Sequence, residues 1–101
     1  MPKVNVESNS NHSPEETFNK VKEFIANDQD LKSLDPSYKC DFDDSGLTGK
    51  AKGSKFKADI KVSSSGSGAQ VEIIVDLPMM LTPFKGKVQS ALKDKLDRLL
   101  A

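Results

Sequence analysis

The sequence has no tryptophan and only one each of tyrosine, cysteine and histidine, and each scarcity closes off some chemistry. With Cys40 alone, no internal disulfide and no cysteine-based metal cluster can form, which fits a reducing compartment. Cys40 falls on an inward strand position, where a free thiol acts as a small apolar residue; Asp41 and Asp43 beside it oppose a thiolate. His12 has no second base or nucleophile near it in sequence, and a local contact outside a helix N-terminus is its expected role. Net charge is also missing: 15 Lys and Arg balance 15 Asp and Glu, which argues against a dedicated polyanion binder. Nowhere is there the run of about 18 apolar residues that a membrane span needs, and no apolar stretch of signal-peptide type follows Met1. These absences predict a cytoplasmic protein with no transmembrane segment, no metal, no cofactor and no nucleic-acid partner.

What is present fits a single domain over residues 1–101 with one economical core, since apolar residues make up 36%. Charge is unevenly spread: residues 1–44 hold ten acids and five bases, and residues 45–101 hold the reverse. The plain reading is a solvated face of lysines on the sheet and last helix. Lys50, Lys52, Lys55, Lys57 and Lys61 lack stacking aromatics, because alternation places Phe56 on the opposite face.

Along the chain, Val4 and Val6 alternate with polar residues as in a short strand that polar residues Ser8 to His12 break. Ser13-Pro14-Glu15-Glu16 starts a helix: Ser13 caps, Pro14 suits the first helical position and Glu16 can complete a capping box. Phe18, Val21 and Ile25 follow at helical spacing, and the helix fades near Asn27 to Asp30, with Leu31 and Leu34 tucking the connection against the core. After the Asp35-Pro36 turn, Tyr38, Cys40 and Phe42 mark a half-buried strand. Leu47, Gly49 and Ala51 share one face of the next, Gly53-Ser54 fits a two-residue hairpin loop, and Phe56, Ala58, Ile60 and Val62 continue the alternation. Ser63 to Gly68 reads as a flexible hairpin loop. Val71, Ile73, Val75 and Leu77 form the last strand, where Ile74 makes both faces apolar. Thr82-Pro83 then opens an amphipathic helix to Leu100, about 27 Å long, with Phe84, Val88, Ala91, Leu92, Leu96, Leu99 and Leu100 on its stripe. The expected fold is α+β: an antiparallel sheet of about five strands with two helices on one face, in the order β-α-β-β-β-β-α.

Gly46-Leu47-Thr48-Gly49, Leu77-Pro78-Met79-Met80-Leu81 and Leu96-Asp97-Arg98-Leu99-Leu100, with Pro2-Lys3-Val4 and His12-Ser13-Pro14-Glu15-Glu16, resemble the polyhydroxyalkanoic acid system protein family. The resemblance covers almost the whole chain. It departs at Thr17, where members often carry alanine, and at Ser63 to Ala69, where their connection is shorter. It implies a small bacterial protein of the polyhydroxyalkanoate storage system, granule-associated and without a defined reaction.

The stretch singled out for function is Leu77 to Phe84, five of whose side chains are large and apolar. Its plain reading, the favoured one, is a plug at the end of the core between sheet and helix. The alternative is an adaptable contact through Met79, Met80, Leu81 and Phe84, with Ile74, to an apolar surface or partner. Asp41, Asp43, Asp44 and Ser45-Gly46 do not match calcium-loop spacing and read as a solvated turn, and Gly46, Gly49 and Gly53 are too scattered to cradle phosphate. The leading functional expectation is therefore non-enzymatic: an accessory or binding protein that meets a polyhydroxyalkanoate granule surface or a granule-associated protein. A domain holding a hydrophobic small molecule or acyl chain, enzymatic in some such folds, is one alternative. A homodimer burying Ile74 and the apolar corner is another.

Overall fold

A computed structural model describes residues 3–101, without the side chains of Asp30 and Leu34. The expected place of Pro2 and the tuck of Leu34 lie outside the described residues. The elements run β1 (Lys3–Ser10), α1 (Pro14–Asn27), α2 (Gln29–Leu34), β2 (Lys39–Asp43), β3 (Thr48–Lys52), β4 (Lys57–Ser65), β5 (Gly68–Asp76), a 3-10 turn (Met79–Phe84) and α3 (Lys85–Leu100). The five strands form one antiparallel sheet in the order β1-β5-β4-β3-β2. This is the α+β architecture predicted, with α1 laid across β2 to β5 and α3 along β1. α2 is an addition: the Asp28 carboxylate accepts the Leu31 N–H at 3.1 Å and caps a short new helix where the first was expected only to fade.

Alternation decides which side of each strand meets the helices. Val4, Val6, Ala58, Ile60, Val62, Val71, Ile73 and Val75 are all at most 3% exposed, and they face Phe18, Val21 and Ile25 of α1 and Leu92 and Leu96 of α3. β1 runs further than the sequence indicated, because its inward serines find partners. Ser8 donates to the Asp97 carboxylate at 2.6 Å, and the Ser10 hydroxyl accepts from Thr17 Oγ1 and from the His12 N–H, each at 3.0 Å. Such bonds remove the cost of burying a hydroxyl, so polarity alone does not end a strand here. At the head of α1, Ser13 accepts the Glu16 N–H as expected, but the Glu16 carboxylate turns to His12 Nδ1 at 3.6 Å and does not close a capping box.

Three connections differ from expectation. The serine-rich run is ladder, not flexible loop: Ser63, Ser64 and Ser65 pair with Gln70, Ala69 and Gly68, leaving Gly66 and Ser67 to turn. Gly66 takes φ 58°, the left-handed value that a two-residue hairpin turn requires of its first residue. Leu47 sits not in β3 but in the preceding turn, at φ 53°, where its carbonyl accepts the Val62 N–H at 3.0 Å. The β3–β4 connection spans residues 53–56, twice the predicted length, because Asp35 is built into it. The Asp35 carboxylate, in a residue 1% exposed, accepts from the Ser37 hydroxyl (2.5 Å), the Lys55 N–H (2.7 Å), the Ser37 N–H (3.1 Å) and the Ser54 hydroxyl (3.4 Å). A side chain on Gly53 would collide with that carboxylate.

Candidate functional site

β5 leaves the sheet at Asp76, and the next residue, Leu77, is fully buried. Pro78 is extended, at φ −60° and ψ 150°, and starts the 3-10 turn, whose Leu81 N–H bonds to the Pro78 carbonyl at 2.9 Å. Thr82 does not cap the last helix. Its hydroxyl donates back to the Met79 carbonyl at 2.7 Å, and α3 begins at Lys85 with no side-chain cap, later than the Thr82-Pro83 signal placed it.

This geometry overturns the reading of the stretch as a core plug. Met79 is 73% exposed, Met80 80% and Phe84 51%. Of the five, Leu77 lies in the core and Leu81 packs against it, half-buried. The cause is the period of the turn. At three residues per turn the side chains divide among three faces; the one that carries Leu81 leans on the protein, while Phe84 at the end of the turn stands 51% exposed. Met79 with Thr82, and Met80 with Pro83, take the other faces and point to water. The corner is thus an exposed apolar turn anchored by Leu77 and Leu81.

Ile74 does not join it. It is half-buried on the outer face of the sheet, opposite Asn5 and Asp59 in register. There it lines a shallow groove of about 490 Å³ with Asp41, Lys50, Asp59, Lys61 and Glu72 among others. Between the layers, Phe18, Ile25, Ile60, Ile73, Leu77 and Leu96 are each at most 2% exposed and fill the interior with side chains.

Three titratable groups away from the corner are shifted by their surroundings. Burial pushes the Cys40 thiol above its ordinary value, so it is not poised as a nucleophile. Asp43 accepts from the Ser45 hydroxyl (2.7 Å), the Ser45 N–H (3.1 Å) and the Gly46 N–H (3.2 Å), and these bonds, the hydroxyl first, hold its carboxyl below the usual range. Asp35 is lowered the same way, chiefly by Ser37 and then by the Lys55 N–H. Its reach across twenty residues was not readable from Asp35-Pro36-Ser37, which signals only a turn. Phe56 is buried against Tyr38, ring centroids 5.5 Å apart, on the face away from the strand lysines. Among the described residues no group of three His, Cys, Asp or Glu is placed to hold a metal ion. No helix is long and apolar enough to cross a membrane among them.

No family model matches the chain, and no curated protein matches it. Solved structures do. The chain is similar to TTHA0849 from Thermus thermophilus at 14% identity and TM-score 0.63, over 98% of this chain and 92% of that one. It is similar to the di-domain ARO/CYC BexL from the BE-7585A biosynthetic pathway at 10% identity and TM-score 0.63, over 99% of this chain and 45% of that one. It is also similar to Ara h 8.0201 at 10% identity and TM-score 0.53, over 98% and 97% of the two chains. At such identities the likeness is one of fold, an antiparallel sheet with helices packed on one face.

Proposed function

We propose that this chain is a non-catalytic binding protein that meets an apolar surface or partner through Met79, Met80 and Phe84. The observation that carries the reading is the exposure of three large apolar side chains on one short, anchored turn. Burying a side chain of this size contributes about 2 kcal/mol, so leaving three in water forgoes a substantial stabilisation that a contact recovers. Methionine suits irregular apolar surfaces because it is unbranched and polarisable. The sequence resemblance to polyhydroxyalkanoic acid system proteins names the surface: a storage granule in the cytoplasm, or a protein bound to one. Leu81 supports the turn from beneath.

Co-sedimentation with bare poly(3-hydroxybutyrate) particles tests this. Wild type is expected to partition onto the particles, and Met79→Ser with Met80→Ser to lose about tenfold or more in affinity. Equal partitioning of the two proteins overturns the reading.

The likeness in fold to BexL, described as ARO/CYC, favours a second reading: an apolar small molecule held between α3 and the sheet. The filled interior means that α3 must shift to admit one. Methyl NMR during titration with a long-chain fatty acid separates the two. Perturbed Ile60, Ile73 and Leu96 methyls support the second reading, and perturbation confined to Met79 and Met80 supports the first.

A further inference from the structure

We propose that the Met79–Phe84 corner docks on a lipid surface bearing anionic headgroups, its apolar side chains entering the headgroup layer while lysines around it meet the charge. The inference rests on the reading of this corner as a contact surface and adds the partner's charge and chemistry.

The lysines are placed by register. Lys3 pairs with Asp76, Asp76 with Lys57, Lys57 with Lys52 and Lys52 with Lys39. Directly paired residues share a face, so these stand in one row on the outer face, at the end of the sheet from which β5 departs. Lys3 and Lys57 flank Asp76 at about 5 Å on either side, and Met79 follows within about 10 Å of chain. α3 adds two more. Gln89 Nε2 donates to the Asn5 carbonyl at 2.9 Å and Lys93 Nζ to the Glu7 carbonyl at 2.7 Å, so α3 runs alongside β1 in the same direction. One turn before Gln89, Lys85 falls level with Lys3, and Lys87 follows it at the foot of the turn. Lys57, Lys85 and Lys87 are exposed and form no ion pair among the described residues. The Lys3–Asp76 pair is long, at 3.9 Å. Asp35, a further carboxylate at this end, is buried and occupied by Ser37, Ser54 and Lys55. A chain with no net charge therefore gathers positive charge around the cluster of large apolar residues that is exposed among the described residues.

The shape decides between partners. Met79 and Met80 stand 73% and 80% exposed, so a protein partner must offer a matching pocket with carboxylates set around its rim. A headgroup layer needs no such pocket: side chains enter it, and its charge is spread over the surface. Each lysine near an anionic surface strengthens binding about fivefold, so three together supply about a hundredfold.

Sedimentation with vesicles of phosphatidylcholine alone, and of phosphatidylcholine and phosphatidylglycerol in about equal parts, tests the proposal at low salt, where surface charge is least screened. The expected result is binding to the anionic vesicles only. Lys57→Gln, Lys85→Gln and Lys87→Gln together are expected to weaken it about a hundredfold, and Met79→Ser with Met80→Ser to abolish it. All five positions are exposed, and circular dichroism of each variant is the check on its fold. Equal binding to both vesicle types, an unaffected lysine variant, or no binding to either overturns the anionic partner. The bare-polymer assay then still reads the apolar corner by itself. A dimer in light scattering that dissociates in the methionine variant also overturns it, by seating a second copy on the corner.

Discussion

Two connections at the same end of the sheet make opposite use of their side chains. The β3–β4 connection closes on a carboxylate, yet Asp35 is 1% exposed; the β5–α3 connection is mostly apolar, yet Met80 is 80% exposed. Asp35 is buried because Ser37, Ser54 and Lys55 supply donors for both its oxygens. Met79 and Met80 are exposed because a 3-10 turn offers the core only one of its three faces. Burial in this molecule follows from what neighbours provide, and the polarity of a residue settles it only after that.

Leu77 and Met79, two positions apart on the same connection, give the sharpest test. Leu77→Ala is expected to cost about 3 kcal/mol, or roughly 15 °C in melting temperature, read by denaturant and thermal unfolding. A loss below about 1 kcal/mol breaks the distinction between anchor and protrusion.

Asp35→Asn comes next. It keeps the shape and removes the charge that strengthens four accepted hydrogen bonds, so the urea midpoint at neutral pH should fall, by less than for Leu77→Ala. Asp35, Asp43 and Asp97 are held below the ordinary carboxylate range by donors led by Ser37, Ser45 and Ser8 respectively. As pH drops through about 4, carboxyls of the unfolded chain take up protons before these folded ones do, which favours unfolding. Their stabilisation is present above that pH and lost as the pH falls through the lower folded values. Asp35→Asn should therefore lose less stability than wild type between neutral and acid pH. An equal loss removes Asp35 from the acid sensitivity.

The smallest effect is expected at the protrusion. Met79→Ser with Met80→Ser should change stability by less than about 0.5 kcal/mol, because neither side chain has a buried contact to lose. A drop of about 2 kcal/mol or more in the same unfolding experiment returns both methionines to the core.

Local period made most of the frame legible. Val4 and Val6 and Ala58 to Val62 alternate cleanly, Val71, Ile73 and Val75 do so but for Ile74 on the other side, and these apolar positions are the inner face of the sheet. Ser13-Pro14 starts α1 as written, and Leu92, Leu96 and Leu100 form the buried stripe of α3. What local pattern missed was set at long range. Ser8 and Ser10 continue β1 only because Asp97 and Thr17 bond to them. The β3–β4 connection has its length because a carboxylate some twenty residues earlier fills it. Ser63 to Ser65 form strand because Ala69 and Gln70 are there to pair. Of the candidate site, the composition of the corner was legible and its exposure was not. Five large apolar residues look alike in sequence until the pitch of the turn divides Leu81 from Met79 and Met80.

The bonds from Gln89 and Lys93 to the carbonyls of Asn5 and Glu7 also limit how the sheet can grow. β1 is an edge strand, and α3 lies along it with side chains on peptide groups that a foreign strand would need. That leaves β2 as the open edge, where Lys39, Asp41 and Asp43 alternate with half-buried Cys40 and Phe42. A sheet with one open edge can be joined once. Strand addition between copies then ends at a closed pair, and the route to an endless cross-β stack is blocked at its second step.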